Sequence, residues 1–260
     1  MKNNSPATLQ KLAQKLLNAR RSAEPVDQLS TELSFSSAEA YEIQRLQMLE
    51  ESAGQGIFGW KMGLTSLAKR QQMNLHEPVY GYLLPSMQVK EAVSLQGLIH
   101  PKVEPEIAFL VNRDIQGPLT YEQASQSIDA VAPALEILDS RYKLFRYFSL
   151  QDVIADNSSS SRFVLGDWRR HWRSLDLKNL DLEISLRGRL QFSEKASAIS
   201  GDPVISLVQL TQLLSDHGLK IEAGQCVLAG AATAAVELQT GQHFNLDVGG
   251  LGACQLEVRP

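Results

Sequence analysis

Residues 100–111 read HPKVEPEIAFLV, and the fold of the chain turns on how this stretch is taken. The run Ile107 to Val111 is apolar and β-branched or aromatic in texture, which predicts a buried strand. Two carboxylates, Glu104 and Glu106, precede it one residue apart. Successive side chains of a strand alternate between faces, so positions i and i+2 project side by side. Two like charges at that distance repel and raise one pKa unless a cation lies between them. Pro105 cannot donate to a ladder, which predicts a strand start or a sheet edge at this point. A third acid, Glu136, lies inside the apolar run APALEILD (132–139) and poses the same problem. Burying a carboxylate without a partner costs several kcal/mol, on the order of 2–7 for a polar group alone.

The pattern around these strands is mixed. Ser5-Pro6 is a cap followed by proline in the first helical turn, and Leu9, Leu12 and Leu16 recur at helical spacing. Ser36 and Glu39 form a capping box for a second helix reaching about Glu51. From Gly56 onward, short apolar runs alternate with Gly, Pro and Asn/Asp, which reads as strands and loops. Thr120 with Gln123 caps a further helix. Asp202-Pro203 opens an amphipathic helix through Leu207, Leu210 and Leu214 that Gly218 stops. The segment from Cys226 to Val258 reads as strands separated by glycine turns. The expected fold class is α+β: an N-terminal helical portion over residues 1–55 packed on a β-rich catalytic core over 56–260.

Composition narrows the function. Of 260 residues, 43% are apolar and 21% charged, as in an ordinary globular protein. A net charge of −4 speaks against a nucleic-acid groove. Met1-Lys2-Asn3-Asn4 leads into polar sequence rather than a secretory apolar core, and the apolar-rich stretch 224–236 is short of the roughly 20 residues a membrane span needs. The two cysteines, Cys226 and Cys254, are not at zinc-ligand spacing and fit a reducing, cytoplasmic setting.

Three carboxylates on apolar strands, without a histidine cluster or thiolate ligands, suit a hard, oxygen-preferring ion such as Mg²⁺ or Mn²⁺. The alternatives are a solvated Glu-x-Glu strand face, or pairing of Glu136 with Arg141 or Lys102. In FGWKMGLTS (58–66), Lys61 is either a strand lysine reaching solvent or a cation beside a reacting oxyanion. The hydroxyl-rich turn ADNSSSSRF (155–163) is either a plain loop or a cradle for a substrate carboxylate. In AGAATAAVEL (229–238), small residues around Thr233 indicate tight packing or close approach of a ligand. The five histidines read as structural, and Trp168 and Trp172 as surface or packing residues.

Read together and in order, GWKMGLTSLAKRQQM (59–73), EPVYGYL (77–83), HPKVEPEIAF (100–109), PALEILDSRY (133–142), VIADNSSSSRFVLG (153–166) and GLGACQLEV (250–258) resemble the hydratase/decarboxylase family of aromatic meta-cleavage pathways, within the fumarylacetoacetate hydrolase superfamily. The resemblance runs from about Ala40 to the end. It implies a mixed β-rich fold, a Mg²⁺ or Mn²⁺ site, a small 2-oxo acid substrate and a homo-oligomer. It also implies that Glu104, Glu106 and Glu136 bind the metal, that Lys61 is the active-site lysine, and that Lys102 and Ser159 meet the substrate.

Two activities compete within the family: hydration of 2-hydroxypenta-2,4-dienoate, and decarboxylation of 4-oxalocrotonate to that dienoate. Hydratases usually carry an aspartate where this chain has Val79. Valine there, the LIHPKVEPEIA stretch (98–108) and the aromatic after DSRY (139–142) resemble the decarboxylases. Family decarboxylases associate with the pathway hydratase, so a complex with that partner is implied too. Asp202 stands where a histidine is usual, and 187–197 departs from the family's glycine-rich stretch; both bear on the exact substrate. A non-catalytic paralogue that binds a partner enzyme is the reading from another class, and the intact set of Glu104, Glu106, Glu136 and Lys61 argues against it.

Overall fold

The computed structural model describes residues 3–66, 77–145 and 149–260. Met1, Lys2 and positions 67–73 of the stretches quoted above lie outside the described residues. In chain order the helices are α1 (Pro6–Ser22), α2 (Ser37–Glu51), α3 (Tyr121–Ser127), α4 (Leu150–Ala155) and α5 (Pro203–Asp216). The strands are β1 (Gly59–Gly63), β2 (Val79–Leu83), β3 (Ala92–Ser94), β4 (Lys102–Val111), β5 (Ile128–Leu138), β6 (Ser160–Leu165), β7 (Asp181–Leu186), β8 (Arg189–Lys195), β9 (Cys226–Ala231), β10 (Val236–Glu237), β11 (His243–Val248) and β12 (Gly252–Arg259).

The helix boundaries have local causes. Ser5 accepts from the Thr8 N–H at the start of α1, and Leu9, Leu12 and Leu16 are buried on its inner face. Ser36 and Glu39 close a reciprocal capping box at α2. Asp202 caps α5 by accepting from the Val204 N–H, and also accepts from the Tyr121 hydroxyl at 3.0 Å.

One mixed sheet runs β2-β1-β9-β4-β5-β6, with β10 adding to β4; a second runs β3-β12-β11-β7-β8. Pro105 is neither a strand start nor at an edge: it lies inside the ten-residue β4, flanked on both sides. The sheet accommodates its missing N–H at a gap. On that side β10 pairs with β4 only at Lys102 and Val103, and β9 takes over from Glu106. The Pro105 carbonyl still accepts, from Ala232 N–H at 3.1 Å.

Register fixes the faces. Glu104 opposes Glu136 across β4 and β5, Ala108 opposes Leu228 across β4 and β9, and Leu228 opposes Lys61 across β9 and β1. Directly opposed residues share a face, so Glu104, Glu106, Glu136 and Lys61 all project from one side of the first sheet. Pro133, on the other side of β5, packs against Gly166 and Gly252, placing the second sheet behind the first. The N-terminal helices are tied to the core by polar anchors. The Gln44 amide donates to the carbonyls of Tyr80 and Ile154, and that of Gln47 to Ala155.

Candidate active site

The four same-face side chains converge. Glu104, Glu106 and Glu136 each present a carboxylate oxygen, and these oxygens lie within 4.8 Å of one another. Glu106 and Glu136 are fully buried, and Lys61 is only 2% exposed. Lys61 Nζ is 2.9 Å from Glu136 Oε2.

In each buried carboxylate a protein donor holds one oxygen and leaves the other turned to the cluster. Gly230 N–H donates to Glu106 Oε2 at 2.8 Å, while Glu106 Oε1 has no hydrogen-bond partner. Ser160 Oγ donates to Glu136 Oε1 at 2.7 Å, and Glu136 Oε2 takes the Lys61 ion pair. Gly230 has φ +107°, and a Cβ there would collide with the Thr65 side chain at 2.4 Å, so only glycine brings its N–H to Glu106.

Burial works to lower the Lys61 pKa, but the fields of Glu136, Glu106 and Glu104 outweigh it and hold the ammonium above the usual lysine range. Burial, and then the charge of Glu136, push Glu106 well above the ordinary carboxylate range, against the opposing pull of Lys61. Carboxylates packed this closely repel one another, and a cation between them relieves the repulsion. An all-oxygen donor set, with Glu106 Oε1 left without a protein partner, fits a divalent hard cation, with the Gly230 and Ser160 bonds as its outer-shell supports.

A cavity of about 210 Å³ opens over the cluster. Lys61, Thr65, Ser66, Glu104, Ser158 and Ser159 supply its polar wall; Leu138 and Val153 are among its apolar residues. The serines come from a turn with φ of +51°, +48° and +61° at Asn157, Ser158 and Ser159. Non-glycine residues in this region cost on the order of 1–3 kcal/mol each and cluster at functional sites. Gly63 makes room for the turn: a Cβ there would fall 2.3 Å from Ser158 Oγ.

The other residues singled out from the sequence lie around this centre rather than in it. Val79 is buried opposite Gly63 and crowds the space of a Gly63 Cβ, so Gly63 and not Val79 forms that part of the cavity wall. Lys102 Nζ sits 4.3 Å from the ring centroid of Phe145, in a neighbouring depression that shares Phe145 with the cavity. Thr233 donates to the Ala234 carbonyl, two residues beyond the cavity residue Ala231. Glu136 pairs with neither Arg141 nor Lys102: Lys61 takes that place, and Arg141 pairs with Asp156. Ser160, Gly230 and Ser158 were not singled out as individuals. Only the serine run around 158–161 carried a signal for two of them.

The fumarylacetoacetate (FAA) hydrolase C-terminal family model matches residues 62–259, and the chain belongs to this family. It is 42% identical over 250 residues to a 4-oxalocrotonate decarboxylase from Pseudomonas sp., covering 94% of this chain and 96% of that one. It is 34% identical over 251 residues to the 2-hydroxyhexa-2,4-dienoate hydratase of Comamonas testosteroni, covering 94% and 95%. The solved structure of 4-oxalocrotonate decarboxylase from Pseudomonas putida G7, complexed with magnesium and adipate, superposes with a TM-score of 0.94 at 30% identity, over 99% of this chain and 100% of that chain.

Proposed function

We propose that this protein is a metal-dependent lyase that decarboxylates 4-oxalocrotonate to 2-hydroxypenta-2,4-dienoate and CO₂. The observation that carries the reading is the buried Glu104/Glu106/Glu136 cluster with Lys61 paired to it, in a chain 42% identical to an enzyme of that name. Glu104, Glu106 and Glu136 hold Mg²⁺ or Mn²⁺. The bound ion supplies Lewis acidity to the oxygens of a 2-oxo acid.

The protein's own groups account for the rest. Breaking the bond from C5 to the departing carboxylate sends its electron pair into C4=C5. The C3=C4 pair moves to C2=C3, and charge collects on the C2 oxygen. Lys61, held as an ammonium by its carboxylate neighbours, stabilises that charge. Leu138 and Val153 keep water from the chain of the substrate, where a carboxylate gives way to neutral CO₂. Ser159, in the cavity wall, offers a hydroxyl to the carboxylate at C1. A covalent nucleophile is unnecessary because the substrate carries its own electron sink.

Hydration of the dienoate is the second reading, favoured by the hydratase at 34% identity. It needs a group to position water and move a proton. Position 79, an aspartate in the hydratases this chain resembles, is valine here, which favours decarboxylation. A homo-oligomer, a complex with the pathway hydratase and a cytoplasmic location complete the reading. The last is supported by two free, buried cysteines. Among the described residues no helix is long and apolar enough to cross a membrane.

The test is the effect of Mg²⁺ on turnover of 4-oxalocrotonate by the purified protein and by Glu106→Gln. Turnover should appear with Mg²⁺ and vanish with EDTA. The variant should lose both turnover and Mn²⁺ affinity, by about 100-fold or more, since outer-shell changes alone cost 10–100-fold. Turnover that survives EDTA would exclude the reading.

A further inference from the structure

The turn at Asn157–Ser159 is built from three consecutive left-handed residues without a glycine. Asparagine tolerates this conformation; serine does so less readily. Something must hold the turn in place, and its restraints come from two sides.

On one side is the Arg141–Asp156 pair, buried at the end of β5. The Arg141 guanidinium bonds the Asp156 carboxylate and carbonyl, the Asp139 carbonyl and, at 3.3 Å, the Ser160 carbonyl. Arg20 of α1 donates to the same Ser160 carbonyl at 2.6 Å. Entry and exit of the turn are thereby fixed to the strand that carries Glu136.

On the other side is Asn157, whose carboxamide clasps the open edge of β2. Its Oδ1 accepts from the Tyr82 N–H at 2.8 Å and its Nδ2 donates to the Tyr82 carbonyl at 3.0 Å. A side chain thus imitates the paired bonds of a neighbouring strand. β2 is an edge strand of the first sheet, and its Gly81 opposes Lys61. A Cβ on Gly81 would lie 3.0 Å from Asn157 Oδ1 and 3.1 Å from Lys61 Cδ, so the missing side chain admits both. Beyond the clasp, the Ser158 carbonyl and hydroxyl each lie 3.5 Å from Lys61 Nζ, and Ser158 and Ser159 form cavity wall.

We propose that Asn157 is a positioning residue: its clasp on Tyr82 holds the left-handed turn against the Lys61 strand pair and sets Ser158 and Ser159 at the substrate. Asn157 itself does not line the cavity. Glu106 is anchored by Gly230 on β9, away from the turn, and Ser160, which anchors Glu136, is itself held through its carbonyl by Arg20 and Arg141. The kinetic part of the proposal rests on the decarboxylase reading; the structural part does not.

The test compares Asn157→Ala and Asn157→Asp with wild type, all loaded with Mg²⁺. Amide hydrogen exchange over 156–161 should speed up about tenfold in Asn157→Ala while exchange over 203–216 is unchanged. Turnover of 4-oxalocrotonate, as kcat/KM, should fall about 30-fold or more, because small displacements of positioning groups are costly. Mn²⁺ affinity should stay within about threefold, since the outer-shell bonds to the carboxylates are intact. Asn157→Asp keeps the acceptor for Tyr82 N–H but buries a carboxylate oxygen against the Tyr82 carbonyl, so it should loosen the turn at least as much as Asn157→Ala. Unchanged exchange over 156–161, or exchange raised equally over 203–216, would overturn the positioning role. Unchanged kcat/KM with a loosened turn would overturn it as well. Wild type inactive on 4-oxalocrotonate would remove the decarboxylase reading and leave the exchange comparison to decide the role of Asn157.

Discussion

Lys61 on β1 and Glu136 on β5 form an ion pair of 2.9 Å although two strands, β9 and β4, lie between theirs. The pair is closed by register: both side chains rise from one face, and Glu104 and Glu106 rise with them. Lysine and carboxylate therefore form one charged unit, and each offsets part of the other's burial cost.

Replacing Lys61 by alanine leaves a site with three carboxylates and no ammonium. Because Lys61 acts on charge that develops during the reaction, kcat should fall by about 10²–10³ while KM changes little. Steady-state kinetics at saturating Mg²⁺ separates the two. A near-normal kcat would return Lys61 to the role of counter-ion alone.

Gly63 tests the shape of the pocket. A methyl there would fall 2.3 Å from Ser158 Oγ and 3.1 Å from Val79 Cγ2, both in packed surroundings. Gly63→Ala should cost about 1–3 kcal/mol of stability, the scale of overpacking, and should lower turnover by displacing Ser158. Urea unfolding and an activity assay report the two effects. A stable, fully active variant would show that the turn yields freely.

Acid should act on the N-terminal helices through Glu39. The Ser36 backbone N–H, then the Asn4 N–H, hold its pKa below the ordinary value of 4.5. A depressed folded-state pKa gives stability that is present above the unfolded value and lost as pH falls through the folded one. Wild type should exceed Glu39→Ala by about 1 kcal/mol at neutral pH, the scale of a helix cap. The difference should shrink below pH 4.5. Denaturant titrations across pH measure it, and a difference independent of pH would contradict the assignment.

Much of the site was legible in the sequence for one physical reason: charges inside apolar runs are conspicuous. Glu104, Glu106 and Glu136 stood out that way, and strand periodicity put the first two on one face. The helix caps at Ser5, Ser36, Thr120 and Asp202 were equally legible, because capping is local. What lay hidden was long-range. The anchor of Glu106 is a backbone N–H 124 residues away, and a backbone group carries no sequence signature. The partner of Glu136 is 75 positions earlier, reached only through the order β1-β9-β4-β5, whereas cations nearer in sequence such as Arg141 are the ones the sequence offers. Pro105 misled in the same way. Its missing N–H signals an edge, but a central strand can harbour it where two partner strands hand over.

The central claim is the choice of reaction, and product analysis of the wild-type protein with Mg²⁺ tests it most directly. 4-Oxalocrotonate and 2-hydroxypenta-2,4-dienoate are supplied separately, with CO₂ and 4-hydroxy-2-oxopentanoate measured. A decarboxylase should release CO₂ rapidly from the diacid and add water only slowly to the dienoate. Rapid formation of 4-hydroxy-2-oxopentanoate, with no CO₂ from 4-oxalocrotonate, would contradict that choice.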